Sequence, residues 1–261
     1  MAPRDGGRCG AAGRVDPRRG GVPFLTVPQV LISAHRMGAG GDRARENTLP
    51  ALEDALDLGV DYIEFDVWRR DDGTFVVAHD PDHDVGLSYN AVLEALAGRG
   101  HAHIDLKFGS PRATYDGGQA WEVDAVRLAV ELLGPDQLIV TTGHDRGVRA
   151  VRDWADAAGV ELRVGLSLGR SVRRLSWLRR IQVRRSELFP HVRIRESRAN
   201  LVVAHHVLAR LGVAAYARRR GLPLLVWTVD DERSLRYWLR PGRAWMLTTN
   251  QPALALHVRD A

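Results

Sequence analysis

The stretch "YIEFDV", residues 62–67, carries two patterns at once. Ile63, Phe65 and Val67 make one apolar set, while Glu64 and Asp66, two positions apart, project from the other face of the same strand. If helices cover the apolar face, the acidic face points inward, as it does inside a parallel barrel with a polar mouth. The residues just upstream supply such a helix. In "TLPALEDALDLG" (48–59), Leu49, Leu52, Ala55 and Leu56 share a face. Thr48 can cap this helix, Pro50 suits its first turn and Gly59 can end it.

The same alternation continues along the chain. Short β-branched runs occur at "VLISAH" (30–35), "YIEFDV" (62–67), "AHIDLK" (102–107) and "QLIVTT" (137–142). Four more follow at "ELRVGL" (161–166), "NLVVAH" (200–205), "LLVWTV" (224–229) and "AWMLTT" (244–249). Between them lie helical patterns such as "AWEVDAVRLAVELLG" (120–134) and "RGVRAVRDWADAAG" (146–159). Eight strands alternating with helices predict an α/β chain, a single-domain (β/α)8 TIM barrel. A doubly wound open sheet uses the same elements, and strand counting does not separate the two. "GTFVVAHD" (73–80) follows "RRDDG" so closely that it reads as a hairpin partner of the second strand rather than a barrel strand.

A chain of 261 residues with 45% hydrophobic and 26% charged residues is ordinary for a globular protein. The lone Cys9 permits no internal disulfide, and no secretory or membrane-spanning run is visible, so the cytoplasm is the expected location. The net charge of +5 is the sum of local features. Residues 1–27 carry +3 and read as a disordered basic tail, leaving 28–261 for the barrel. Residues Arg170–Arg198 carry +8, which leaves −6 for the remainder. A nucleic-acid binder spreads a basic face across its fold, so nucleic acid is not an expected partner, and no protein partner is inferred. Arg170–Arg198 reads as a peripheral contact with anionic membrane lipid, as a contact with acidic substrate, or as a solvated arginine-rich helix.

Chemistry gathers at strand ends. His35 and Arg36 end the first strand, Glu64 and Asp66 the second, Asp105 and Lys107 the third, and His79 and Asp80 the accessory run. Carboxylates crowded at one mouth repel one another unless a cation neutralises them. Three oxygen ligands suit one hard divalent cation, Mg2+ or Ca2+, better than zinc. Lys107 is the chain's only lysine, against 36 arginines. Its compact ammonium fits beside crowded carboxylates where arginine's wider fork would intrude.

Taken in order, these pairs resemble those of a known family. "AHRMGAGGDRARENTLPALEDALDLGVDYIEFDVWRRDDGTFVVAHD" (34–80) resembles the glycerophosphodiester phosphodiesterases, and the likeness extends from about Ile32 to Pro252. The resemblance implies His35 and His79 as catalytic acid and base, with Glu64, Asp66 and Asp105 as metal ligands. It places Arg36 and Lys107 on the phosphate, Glu46 beside the metal site and Trp227 in the wall of the substrate pocket. A buried core tryptophan is the other reading of Trp227. The implied reaction is metal-dependent hydrolysis of a small-molecule or lipid phosphodiester, most simply a glycerophosphodiester yielding glycerol 3-phosphate and an alcohol.

The chain departs from the family pattern in two respects. Asp105 replaces a glutamate, and Asp230 and Asn250 stand where other residues are usual, as in the sphingomyelinase D and phospholipase D toxins on the same barrel. Those relatives imply cleavage of lysophospholipid head groups as an alternative. Only 25 residues separate His79 from Asp105, where the family inserts a capping subdomain, so the insertion after the second strand is shortened. The arginine-rich segment after the fifth strand could replace that missing wall. A third reading is a non-catalytic barrel that binds phosphodiesters or lipid head groups.

Overall fold

Eight parallel strands form the frame: β1 (Leu31–Ala34), β2 (Tyr62–Arg69), β3 (Ala102–Leu106), β4 (Leu138–Thr142), β5 (Arg163–Leu168), β6 (Leu201–His205), β7 (Leu224–Trp227) and β8 (Met246–Thr249). The computed structural model describes residues 29–80, 86–169, 171–173 and 175–261; the expected basic tail, Arg170 and Arg174 lie outside these. Each strand pairs in parallel with the next in the chain, and β1 pairs with both β8 and β2. The sheet therefore closes on itself, which excludes the open doubly wound alternative. Closure also removes the two unpaired edges an open sheet would have to protect.

Two apolar layers follow from the alternation along the strands. Outward-facing Ile63, Phe65, Val67, Ile104, Leu106 and Val140 join a core with the surrounding helices. Inward-facing Tyr62, Ile139, Leu201, Val203, Leu225 and Met246 plug the lower lumen. Two residues further along the strands the lumen turns polar: Glu64 follows Tyr62, Thr141 follows Ile139 and Thr248 follows Met246, all buried. A barrel interior of this size is filled by side chains, so the polar groups on top rest on a solid floor.

The helix predicted over 48–59 runs from Leu49 to Leu58. The Thr48 side chain accepts from the Ala51 amide, and Gly59 takes a left-handed conformation at the end. Its buried face is Ala51, Leu52 and Ala55; Leu49, expected on that face, is exposed because it sits at the helix start before the face turns inward. The fifth strand begins at Arg163 and runs to Leu168, two residues later than expected. The reason is tertiary. Asn200 accepts from the Val164 amide at 2.7 Å and donates to the Leu162 carbonyl at 2.9 Å, capping the strand start from its neighbour.

Between β2 and β3, Phe75–Val77 pairs antiparallel with the extended end of β2, and Leu87–Ser88 pairs with Phe75–Val77. The hairpin is pinned by Ala78 N donating to the Asp66 carbonyl (3.1 Å) and Trp68 Nε1 donating to the Ala78 carbonyl (3.1 Å). Helix Tyr89–Leu96 completes the connection, and residues 81–85 lie outside the described set.

Gly165 faces the lumen with no space for a side chain: a Cβ there would lie 2.5 Å from Val203 Cγ2. Gly165→Ala is expected to overpack this floor and cost about 1–3 kcal/mol, read as a lower denaturant midpoint at unchanged slope.

Candidate active site

The site begins where β1 ends. Arg36 and Met37 follow His35 with φ of 47° and 64°, the left-handed region that residues other than glycine rarely occupy. Such strain persists only where the surroundings hold it. Here the turn aims the Arg36 amide at Glu64 Oε2 (2.7 Å) and the guanidinium at two acids, Glu46 Oε2 (2.7 Å) and Asp66 Oδ2 (3.1 Å). Asn47, also left-handed at φ 56°, accepts from the Asp66 amide at 3.3 Å. The "ENT" stretch is thus wired to β2 through successive side chains.

Glu64, Asp66 and Asp105 come from adjacent strands, and each offers an oxygen within 4.8 Å of the others. Glu64 and Asp66 are almost wholly buried. Lys107 Nζ lies 2.8 Å from Asp66 Oδ1 and also pairs with Asp105. Burial alone would raise the Asp66 pKa, but Lys107, His79 and Arg36 outweigh it and hold the carboxyl well below the usual range. Burial likewise opposes the charge on Lys107, yet Asp105, Asp66 and Glu64 push its pKa upward, so it stays charged. Glu64 differs: burial, then the neighbouring Asp66, raise its carboxyl well above the ordinary value. It faces His35 Nε2 at 3.9 Å and accepts from the Arg36 amide. Three convergent carboxylates, one of them short of positive charge, make a donor set that fits a hard divalent cation.

Hydrogen-bond chemistry settles the state of His35. Asn250 donates through Nδ2 to Asp230 Oδ2 (2.8 Å), so its Oδ1 faces His35 Nδ1 at 2.7 Å. An amide oxygen only accepts, so Nδ1 carries the proton. Burial lowers the His35 pKa, which leaves Nε2 unprotonated near neutrality. His79, delivered by the hairpin, places Nδ1 3.5 Å from Asp66 Oδ2.

These groups surround a cavity of about 360 Å³ whose wall includes His35, Arg36, Glu64, Asp105, Lys107 and Trp227. Asp66 is buried beneath Lys107 and Arg36, while Glu46 and His79 join the cluster through Arg36 and Asp66. Trp227 is half-buried in this wall, packed on the inner apolar layer and edge-on to the His205 ring at 5.4 Å. None of the described residues of Arg170–Arg198 lines the cavity. Helix Trp177–Leu188 turns Val183 inward, leaves Arg179, Arg180 and Arg185 exposed and pairs half-buried Arg184 with buried Glu187, so the described residues of the segment do not form the expected replacement wall. Ser186 and Arg193 instead line a second cavity of about 580 Å³, which shares Gly143 and His144 with the first.

Several partners escaped sequence reasoning. The Thr141 hydroxyl donates to Asp105 Oδ1 (2.8 Å) and therefore accepts from His103 Nε2 (3.1 Å), leaving His103 Nδ1 to accept from Ser33 Oγ (3.0 Å). Burial, then Lys107, push His103 down to about 3, so it is a neutral spacer. Its place two residues before Asp105 on the same strand face was the available signal. Nothing comparable marked the long-range link from Asp230 through Asn250 to His35.

Residues 35–97 match the sequence profile of the Glycerophosphoryl diester phosphodiesterase family. No curated protein matches the chain. Among solved structures it is similar to a glycerophosphodiester phosphodiesterase from Agrobacterium tumefaciens, with 20% identity, 89% of this chain and 100% of that one covered, and a TM-score of 0.64. A glycerophosphodiester phosphodiesterase from Parabacteroides distasonis is 17% identical, with 88% and 97% covered and a TM-score of 0.63. A phosphodiesterase from Oleispira antarctica, in complex with the product sn-glycerol-3-phosphate, is 17% identical, with 89% and 98% covered and a TM-score of 0.60.

The raised Glu64 carboxyl sets a pH dependence. Its proton must leave before the group can ligate a cation, so cation binding weakens as pH falls. In the cation-free protein, the same raised pKa gives stability present at low pH that is lost as pH rises through the folded value. The rise in Tm from Mg2+ or Ca2+ over EDTA is therefore expected to grow as pH is raised above the ordinary glutamate range. A flat or inverted profile in thermal denaturation would contradict this.

Proposed function

We propose that this chain hydrolyses glycerophosphodiesters to glycerol 3-phosphate and an alcohol. One divalent cation, Mg2+ or Ca2+, would be held by Glu64, Asp66 and Asp105. The observation that carries this reading is the convergence of those three acids with His35, His79, Arg36 and Lys107 at one barrel mouth. All but Asp105 and Lys107 lie in the part of the chain matched by the family profile. The product-bound Oleispira antarctica relative points to the same substrate class.

When bound, the cation supplies Lewis-acid withdrawal of charge from the phosphate oxygens. The protein's own groups do the rest. Lys107 and Arg36 orient the phosphate and offset the charge that builds on its oxygens in the transition state. His35 Nε2 accepts a proton from the attacking water as the new P–O bond forms. His79, beside the Asp66 carboxylate, donates its proton to the departing alcohol oxygen as the old P–O bond breaks. Asn250 fixes the His35 tautomer and is a positioning residue, itself anchored by Asp230. The short acid Asp105 and the Asp230–Asn250 pair favour a second reading, cleavage of lysophospholipid head groups.

Three measurements test this. With glycerophosphocholine, release of glycerol 3-phosphate that EDTA abolishes is expected. Lysophosphatidic or cyclic phosphatidic acid from lysophosphatidylcholine would support the second reading, and binding without turnover under either metal would refute both. Lys107→Arg is expected to keep the fold and lose about 100-fold or more in kcat; near-normal turnover would free Lys107 from any role. Asn250→Leu is expected to lower kcat about tenfold or more with KM nearly unchanged. A proportional change in KM would mean that Asn250 shapes the pocket instead.

A further inference from the structure

Helix Trp177–Leu188 follows β5, and its buried Glu187 accepts from the amide of Gly169, the residue just after that strand. Trp177, Leu178, Arg179, Arg180, Ile181 and Gln182 are consecutive and all exposed. Trp177 is 67%, Leu178 63% and Ile181 57% exposed, and Phe189 at the helix end is 65%. At helical spacing Trp177, Leu178 and Ile181 share one face, opposite the buried Val183, and the exposed Arg185 lies on that same face. The helix packs against Ala209–Val213, whose Leu211 is also exposed. Apolar groups this large, gathered in one place, mark an interaction surface.

The charge decides the occupant. The segment around the helix carries +8 on an otherwise acidic body. A two-fold pairing with a second copy would set this positive surface against itself. Residues 1–27 are net positive as well and are repelled in the same way. A tryptophan with aliphatic neighbours, on a helix that also exposes Arg179 and Arg185, matches the interface of an anionic bilayer: rings and aliphatic chains at the acyl boundary, guanidinium groups at the phosphates. We propose that helix Trp177–Leu188, with Phe189 and Leu211, docks this protein on an anionic lipid surface.

The docking element is coupled to the catalytic wall. Buried Glu187 pairs with Arg184 (2.5 Å) and accepts from the Gly169 amide (2.9 Å). Gly169 lies directly against Trp227, since a Cβ there would meet the indole at 3.4 Å and His205 Cβ at 2.6 Å. The docking helix is thus anchored next to the wall of the cavity that a lipid phosphodiester would enter. This last point rests on the hydrolase reading; the docking itself does not.

Co-sedimentation of the full chain with vesicles tests it, comparing phosphatidylcholine alone with phosphatidylcholine containing phosphatidylglycerol. Binding only to the anionic vesicles, weakening as salt is raised, is expected. The double variant Trp177→Ser, Ile181→Ser is expected to lose about tenfold or more of that affinity. It should keep its circular dichroism, its Tm and its hydrolysis of soluble glycerophosphocholine. No binding to anionic vesicles at low salt would overturn the proposal, as would undiminished binding by the double variant. A wild-type dimer in light scattering that the double variant loses would also overturn it, in favour of a self-association seam. Loss of glycerophosphocholine hydrolysis with intact vesicle binding would count against the hydrolase reading alone.

Discussion

Three carboxylates share the top of this lumen and are held there by two cations. Asp66 is the centre: fully buried, it faces Lys107, Arg36 and His79 from three directions. Like charges at such distances resist joint ionisation, and burial makes each one costlier. The balance is uneven, because Lys107 serves Asp66 and Asp105 while Glu64 keeps a raised pKa. That unevenness leaves the cluster receptive to a further positive charge. The closed barrel is what enforces it, since registers Glu64 to His103 and Asp66 to Asp105 lock the strands that carry the acids.

Around this centre the protein places small polar devices that orient rather than react. The left-handed turn at Arg36 and Met37 brings a backbone amide and a guanidinium to two different acids. The hairpin after β2 brings His79 to Asp66 through backbone bonds at Ala78. Asp230 orients Asn250, which sets the proton position on His35. Ser33, His103 and Thr141 support Asp105 from below. Each device spans elements far apart in the chain, so its geometry depends on barrel closure.

The surface beyond the mouth follows another logic. None of the described arginines between 170 and 198 lines the cavity; Arg193 pairs with Asp145 at 2.7 Å and Arg184 with the buried Glu187. Among the described residues no helix is long and apolar enough to cross a membrane. Through Gly169 and Glu187 the outer face and the substrate wall share one scaffold.

Composition and periodicity alone determined a good deal here. Alternation at "YIEFDV" sorted Ile63, Phe65 and Val67 from Glu64 and Asp66 because a strand repeats every two residues, a local property. Thr48 and Gly59 marked helix ends by equally local chemistry. Strand-end position drew attention to Glu64, Asp66, Asp105 and Lys107, while the roles of His35 and His79 came from the family resemblance. What the chain order left open was decided by three-dimensional closure. Whether the sheet is open or closed depends on β1 meeting β8, an encounter more than two hundred residues apart in sequence. The proton position on His35 depends on Asn250, equally distant, and the fate of the arginine segment depends on which face Val183 buries. Hydrogen bonds and burial of this kind are set by which surfaces meet, and no local pattern encodes that meeting.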